Sequence, residues 1–148
     1  MKYYHKFRLV KDVIEDYNPI KQNPDSIKDE IRKDIGYDIN IREYFVVYFL
    51  DCKLRIIGKN ILSIGSETVT VISIKQLVTY ALLSGALSVI IGHNHPSGDT
   101  TPSETDKKTT QEIKKALKLL DIGLTDHIIV TKDSALSFIE EDLLWKQN

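Results

Sequence analysis

One short, turn-rich segment of the chain, 93–106, carries His93, His95, Ser103 and Asp106. The apolar, β-branched run before it, 87–91, predicts a buried strand that Gly92 closes. Residues two apart on extended backbone project to the same side. His93 and His95 can therefore face one ion at the distance of about 2.0–2.1 Å that zinc requires.

A carboxylate can return to these histidines from the start of the next helix. Prolines and a glycine turn the chain, and Ser103 followed by Asp106 is typical of a helix start, with the serine at the N-cap and the aspartate at N3. The positive end of the helix dipole keeps a carboxylate there ionised. Such a pair more commonly serves only as a cap, but a cap does not explain two histidines upstream. The sequence therefore predicts a metal site of His93, His95 and Asp106.

Three protein ligands indicate a catalytic rather than a structural site, because they leave one position of a zinc ion open. Water at that position has its pKa lowered to about 7. A nearby carboxylate can take its proton and deliver it to a leaving amine. A hydroxyl donor can stabilise the oxygen of the tetrahedral intermediate by roughly 2.7–4 kcal/mol. Together these parts favour amide hydrolysis.

The pattern His-x-His-Pro followed by Ser-x-x-Asp resembles the signature of the JAMM (MPN+) metalloproteases, and the fuller string HNHPSG…PS…D resembles their RadC branch. The similarity covers about residues 41–144. Segment 43–51 resembles the family's first core strand and segment 126–130 a late one. The resemblance implies a single α/β domain, with a curved mixed β-sheet flanked by helices in the cytidine-deaminase-like architecture of JAB/MPN domains.

The resemblance also implies a role for each site residue. One zinc ion would be held by His93, His95 and Asp106, with Ser103 stabilising the oxyanion. Glu43 would activate the water, and Glu67 is the competing candidate for that role. The implied function is a zinc-dependent hydrolase, a metallopeptidase or isopeptidase that cleaves an amide bond in a peptide or protein substrate.

Two other function classes stay open. One is a non-catalytic, metal-bearing interaction module, although retention of the complete motif argues against lost turnover. The other is a DNA-repair-associated RadC-type protein. A formal net charge of −1 and the lack of a Gly-rich helix-hairpin-helix pattern in residues 1–40 argue against direct nucleic-acid binding. Zinc deaminases are excluded because their Pro-Cys-x-x-Cys element needs more than the single cysteine, Cys52.

Composition predicts one domain, since 148 residues with 42% hydrophobic residues can bury a core. Residues 1–40 are expected to form a strand–helix extension of the RadC-like JAB/MPN domain at 41–148. Its helix opens at Pro24 and carries isoleucines at four-residue spacing, Ile27, Ile31 and Ile35. No signal core or membrane-length apolar run is present, so a cytoplasmic location without membrane contact is expected, and the oligomeric state is not predicted.

Local patterns place the motif between two helices. The first helix should run from Ser73 to Gly85, and the second should follow the motif and end before Gly123. Asp126 and His127, at a strand start, are interpreted as structural and stay outside the predicted site. Strands are predicted at 7–11, 44–50, 54–57, 60–64, 68–72, 126–131 and 137–139.

Overall fold

The computed structural model describes residues 24–65 and 72–144, which form a mixed five-stranded sheet with helices on both faces. The strand order is β2-β1-β3-β4-β5, with β3 and β4 parallel and all other neighbours antiparallel. This confirms the predicted α/β class. The elements are α1 (Pro24–Ile35), a 3-10 turn (Gly36–Asn40), β1 (Glu43–Leu50), β2 (Ile56–Gly65), α2 (Ile74–Ser84), β3 (Ser88–Asn94), α3 (Glu104–Lys118), β4 (Gly123–Val130) and β5 (Ala135–Ser137).

Helix α1 covers one face of the sheet. Its predicted stripe of Ile27, Ile31 and Ile35 is buried against alternate residues of β1 and β4, because side chains of a strand alternate between faces. Arg32 fixes the helix further by donating to the backbone oxygens of Thr131 and Ser134. The strand predicted at 7–11 lies outside the described residues.

Helices α2 and α3 cover the opposite face. Ser73 caps α2, and Gly85 ends it with a φ of 69°, as the sequence predicts. The two helices pack on the other set of alternating strand residues. The buried cluster between them and the sheet includes Phe45, Val47, Phe49, Leu77, Ala81, Val89, Ile91, Ile113 and Leu117.

The prediction that Gly92 closes its strand is wrong, because β3 continues to Asn94. Gly92 lies directly beneath α1, where an added Cβ would stand 2.7 Å from Cδ1 of Ile31. The glycine is therefore needed for the close approach of a helix to the sheet rather than for a strand end. Consequently His93 belongs to the paired strand and His95 follows immediately after it.

Other strand boundaries also differ from the predicted ones. The strands predicted at 54–57 and 60–64 fall on one strand, β2, because pairing with the neighbouring strand β1 outweighs the weak strand preference of Gly58 and Asn60. Register shifts along that pair accommodate bulges. Of the strand predicted at 68–72, only Ile72 is described, and it is not in a strand. Helix α3 ends at Lys118, before Gly123 as predicted, but β4 already begins at Gly123, three residues before the strand predicted at 126–131.

Candidate metal centre

The three predicted ligands come together where β3 ends and α3 begins. The Nε2 atoms of His93 and His95 lie 2.9 Å apart. The carboxylate of Asp106 spans both, with Oδ1 3.2 Å from Nε2 of His93 and Oδ2 3.3 Å from Nε2 of His95. These side chains form a cluster that could hold a metal ion.

The donor atoms fit a small tetrahedral cation. Ligands at 2.0–2.1 Å from a tetrahedral ion lie about 3.3 Å from each other. The two Nε2 atoms lie 2.9 Å apart, and the distances of 3.2 and 3.3 Å run from each of them to a different oxygen of Asp106, so one ion between these groups could be reached by all three side chains. Two imidazoles and one carboxylate are a donor set that zinc and several other first-row metals accept. Three ligands also leave a fourth tetrahedral position for another molecule.

The start of α3 fixes the carboxylate. Ser103 is the N-cap, and its Oγ accepts a hydrogen bond from the backbone N–H of Asp106, 3.0 Å away. In return the backbone N–H of Ser103 donates to Oδ2 of Asp106 at 2.7 Å, which completes a capping box. Ser103 therefore lies at the N-cap and Asp106 at N3, as predicted. The helix cap is therefore also part of the candidate site, because its hydrogen bonds orient the Asp106 carboxylate toward the histidines.

The loop after β3 fixes His95. Its backbone N–H donates to the oxygen of Val130 at 3.1 Å, which ties the residue to the end of β4. The ring Nδ1 lies 2.7 Å from the backbone oxygen of Asp99. A carbonyl can only accept, so Nδ1 carries the proton and Nε2 of the neutral ring keeps its lone pair for a ligand.

Charge within the cluster shifts the pKa values of its members. Burial opposes ionisation of Asp106, but the neighbouring rings of His93 and His95 hold the pKa of that carboxyl well below its usual range. Burial likewise opposes protonation of His95, but the Asp106 carboxylate and the Asp99 carbonyl raise its pKa above the ordinary value. The arrangement therefore attracts positive charge, as a cation site must.

Glu43 lies beside the cluster because of the register between β1 and β3. Phe45 pairs with His93 in this antiparallel ladder, so Glu43 falls alongside the position of His95 on the same face. Its negative charge contributes to the raised pKa of His95. Glu67, the competing candidate, lies outside the described residues.

An open cleft of about 700 Å³ exposes these groups to a bound molecule. Glu43 and Ser103 line the cleft together with the three candidate ligands. The capping bond uses a lone pair of the Ser103 Oγ, so the hydroxyl hydrogen can point into the cleft. Apolar and hydroxyl side chains complete the wall, among them Phe45, Ile72, Pro96, Thr105 and Thr109.

His127 contacts the cluster, although the sequence leaves it outside the site. It is fully buried, and its Nε2 lies 2.7 Å from Nδ1 of His93. Burial and the adjacent His93 ring lower the pKa of His127 well below the ordinary value. The contact arises because β3 and β4 are parallel neighbours, a pairing that no local sequence signal specifies.

Asn94 is a second residue that the sequence misses. Its side chain points away from the histidines, accepts from the backbone N–H of Tyr44, and donates to the backbone oxygens of Ile39 and Arg42. These bonds of 2.7 to 2.8 Å anchor the segment that enters β1. Asn94 thus fixes the backbone on either side of Glu43.

Asp126 is structural, as interpreted from the sequence. Its carboxylate accepts from the hydroxyl of Ser137 and from the backbone N–H groups of His127 and Ile139. It therefore fastens β4 to the chain around β5.

No helix in residues 24–65 and 72–144 has the length and apolar character needed to cross a membrane.

The chain is similar to one protein-family model and to several curated proteins. The family model of the RadC-like JAB domain matches residues 21–143. A UPF0758 protein of Leptothrix cholodnii is 36% identical over 126 residues, which are 85% of this chain and 56% of that protein. The UPF0758 protein YfjY of Escherichia coli is 43% identical over 103 residues, 70% of this chain and 64% of that protein. The chain spans about half the length of the first of these curated relatives.

Proposed function

Because the chain belongs to the RadC-like JAB domain family, we propose that it is a zinc-dependent hydrolase that cleaves an amide bond in a peptide or protein. The observation that carries the proposal is the geometry of His93, His95 and Asp106 in the wall of an open cleft: the two Nε2 atoms lie 2.9 Å apart, and each lies 3.2–3.3 Å from one oxygen of the carboxylate. A carboxylate and a hydroxyl with suitable chemistry, Glu43 and Ser103, line the same cleft.

His93, His95 and Asp106 would hold the metal. When bound, zinc would lower the pKa of a coordinated water and polarise a substrate carbonyl. A structural zinc site normally has four protein ligands. The set of three, open to the cleft, therefore supports a catalytic use of the ion.

Glu43 would act as the general base and then as the general acid. Its carboxylate takes a proton from the attacking water as the new C–O bond forms at the substrate carbonyl carbon. It then returns that proton to the amide nitrogen as the C–N bond breaks, so a carboxylic acid and an amine leave. No hydrogen bond or ion pair within the described part of the chain engages the Glu43 carboxylate, which leaves it available to a water.

Ser103 would stabilise the charge that develops on the substrate oxygen. Its position at the N-cap of α3 is fixed by the capping box, so its hydroxyl is held in place before a substrate arrives. The N–H groups of the first turn add a positive electrostatic potential at the same end of the helix. An extended peptide in the cleft would then lie between Ser103 and Glu43, the two groups that act on its amide bond.

The proposal is tested by incubating the purified protein with peptide libraries before and after treatment with a chelator. We expect cleavage products that carry new amino termini, loss of cleavage in chelator, and recovery when zinc is restored. Cleavage that survives complete removal of metal would contradict a metal-dependent mechanism. Stoichiometric zinc with no cleavage of any amide would favour a metal-bearing interaction module.

A further inference from the structure

His127 lies behind His93, on the side away from the cluster's donor atoms. Its ring stacks on Phe138 with centroids 4.4 Å apart, and Phe45 meets it edge-on at 5.9 Å. A phenyl ring could fill such an aromatic pocket equally well. Both ring nitrogens of His127, however, have polar partners at hydrogen-bond distance.

The direction of these hydrogen bonds follows from a backbone carbonyl. The oxygen of Asp106 can only accept, so the Thr110 hydroxyl, 2.6 Å away, donates to it. The Thr110 Oγ1 then has only lone pairs to offer to Nδ1 of His127, also 2.6 Å away. Nδ1 of His127 therefore carries a hydrogen and donates it to Thr110.

The same reasoning gives the tautomer of His93, one of the candidate metal ligands. A neutral imidazole with a hydrogen on Nδ1 has a bare Nε2. That atom of His127 lies 2.7 Å from Nδ1 of His93, so Nδ1 of His93 donates to it. His93 then has its lone pair on Nε2, the atom that faces His95 and Asp106. Among the described residues, no carboxylate lies within hydrogen-bond distance of the His127 ring, whose partners are His93 and Thr110. The ring is also fully buried, which favours its neutral form.

We propose that His127 is a positioning residue that fixes His93 in the tautomer able to bind metal and orients its Nε2 toward the cluster. This inference rests on the proposed metal function of the site. The chain of hydrogen bonds begins at the backbone oxygen of Asp106 and ends at the ring of His93, so both ends are residues of the candidate metal site. Partners of this kind set the tautomer and basicity of ligating histidines.

Two substitutions separate positioning from packing. His127→Phe keeps an aromatic ring between Phe45 and Phe138 but removes the acceptor, whereas His127→Gln can restore an acceptor near the position of Nε2. We expect the zinc dissociation constant, measured by chelator competition, to rise about 10–100-fold in His127→Phe and to recover at least in part in His127→Gln. Melting temperatures of both metal-free variants report how each change affects folding.

The tautomer itself can be observed in the wild-type protein without any metal. Long-range ¹H–¹⁵N correlation spectra of histidine-labelled protein should show His127 with its hydrogen on Nδ1, and zinc-loaded protein should show the same for His93. A hydrogen on Nε2 of His127 would overturn the inference, as would wild-type zinc affinity in His127→Phe or equal losses in both variants. Failure of the wild type to bind zinc would instead refute the proposed function, and the metal-free spectrum would still decide the role of His127.

Discussion

At the scale of single residues, protonation decides how strongly the cluster can bind a cation. The pKa of Asp106 is lowered by the neighbouring histidine rings, so this carboxylate stays ionised at lower pH than an ordinary aspartate. The pKa of His95 is raised, because the attraction of Asp106 outweighs the effect of burial. A proton on His95 must leave before its Nε2 can bind a metal, so protons and zinc compete for this atom.

Zinc affinity should therefore fall as the pH falls. We expect a loss of about tenfold per pH unit once the pH drops through the raised pKa of His95, because binding then releases a proton. The measurement is chelator competition at several pH values between about 5 and 8. Substituting His93 and His95 with alanine together should abolish stoichiometric zinc at every pH. Retention of one equivalent of zinc in that double variant would place the metal elsewhere.

The predicted site residues and the missed ones differ in the kind of information that specifies them. His93, His95, Ser103 and Asp106 are positioned by strand alternation and a helix cap, which are local features that spacing reveals. The contact of His127 with His93 requires the parallel pairing of β3 and β4. No local pattern specifies which strands become neighbours, so the sequence could not separate this role from a structural one.

At the scale of elements, the close approach of α1 to β3 positions the strand that carries the histidines. Hydrophobic spacing predicts both the helix and the strand. From the sequence alone, however, Gly92 is equally consistent with the end of the strand. Gly92 is instead the point of contact, with Cδ1 of Ile31 only 2.7 Å from where a Cβ would stand. Ile31 is completely buried, so it has little room to move away.

Gly92→Ala should consequently destabilise the protein by about 1–3 kcal/mol, the usual cost of overpacking a core. Ile31→Val removes the Cδ1 methyl and should recover part of that loss when both changes are combined. The measurement is a double-mutant cycle of unfolding free energies by chemical denaturation. Strictly additive effects of the two substitutions would show that Ile31 does not restrict the space above Gly92.

At the scale of the whole molecule, the candidate metal centre joins elements that are distant in sequence. His93 lies near the end of β3, and Asp106 lies in the first turn of α3, which packs on one face of the sheet. An ion held by both would add a link between strand and helix that the unfolded chain lacks. Ligands that bind only the folded state stabilise it by mass action.

Zinc should accordingly raise the melting temperature. At a free concentration 100 times the dissociation constant the stabilisation is about 2.7 kcal/mol, which corresponds to roughly 5–10 °C for a chain of this size. Differential scanning calorimetry with zinc and with chelator measures the shift. The variant that lacks both His93 and His95 serves as the control and should show none. An equal shift in that variant would indicate that zinc stabilises the protein from another position.

Hydrolysis by Glu43→Gln tests the central claim most directly, because the change removes a proton acceptor and keeps the shape of the side chain. Wild type, Glu43→Gln and Glu67→Gln should be compared on one peptide substrate at matched zinc occupancy. We predict that Glu43→Gln folds and binds zinc normally but loses roughly 10²–10⁴-fold in kcat, while Glu67→Gln keeps wild-type activity. Full activity of Glu43→Gln, or no turnover by the zinc-loaded wild type, would contradict the account.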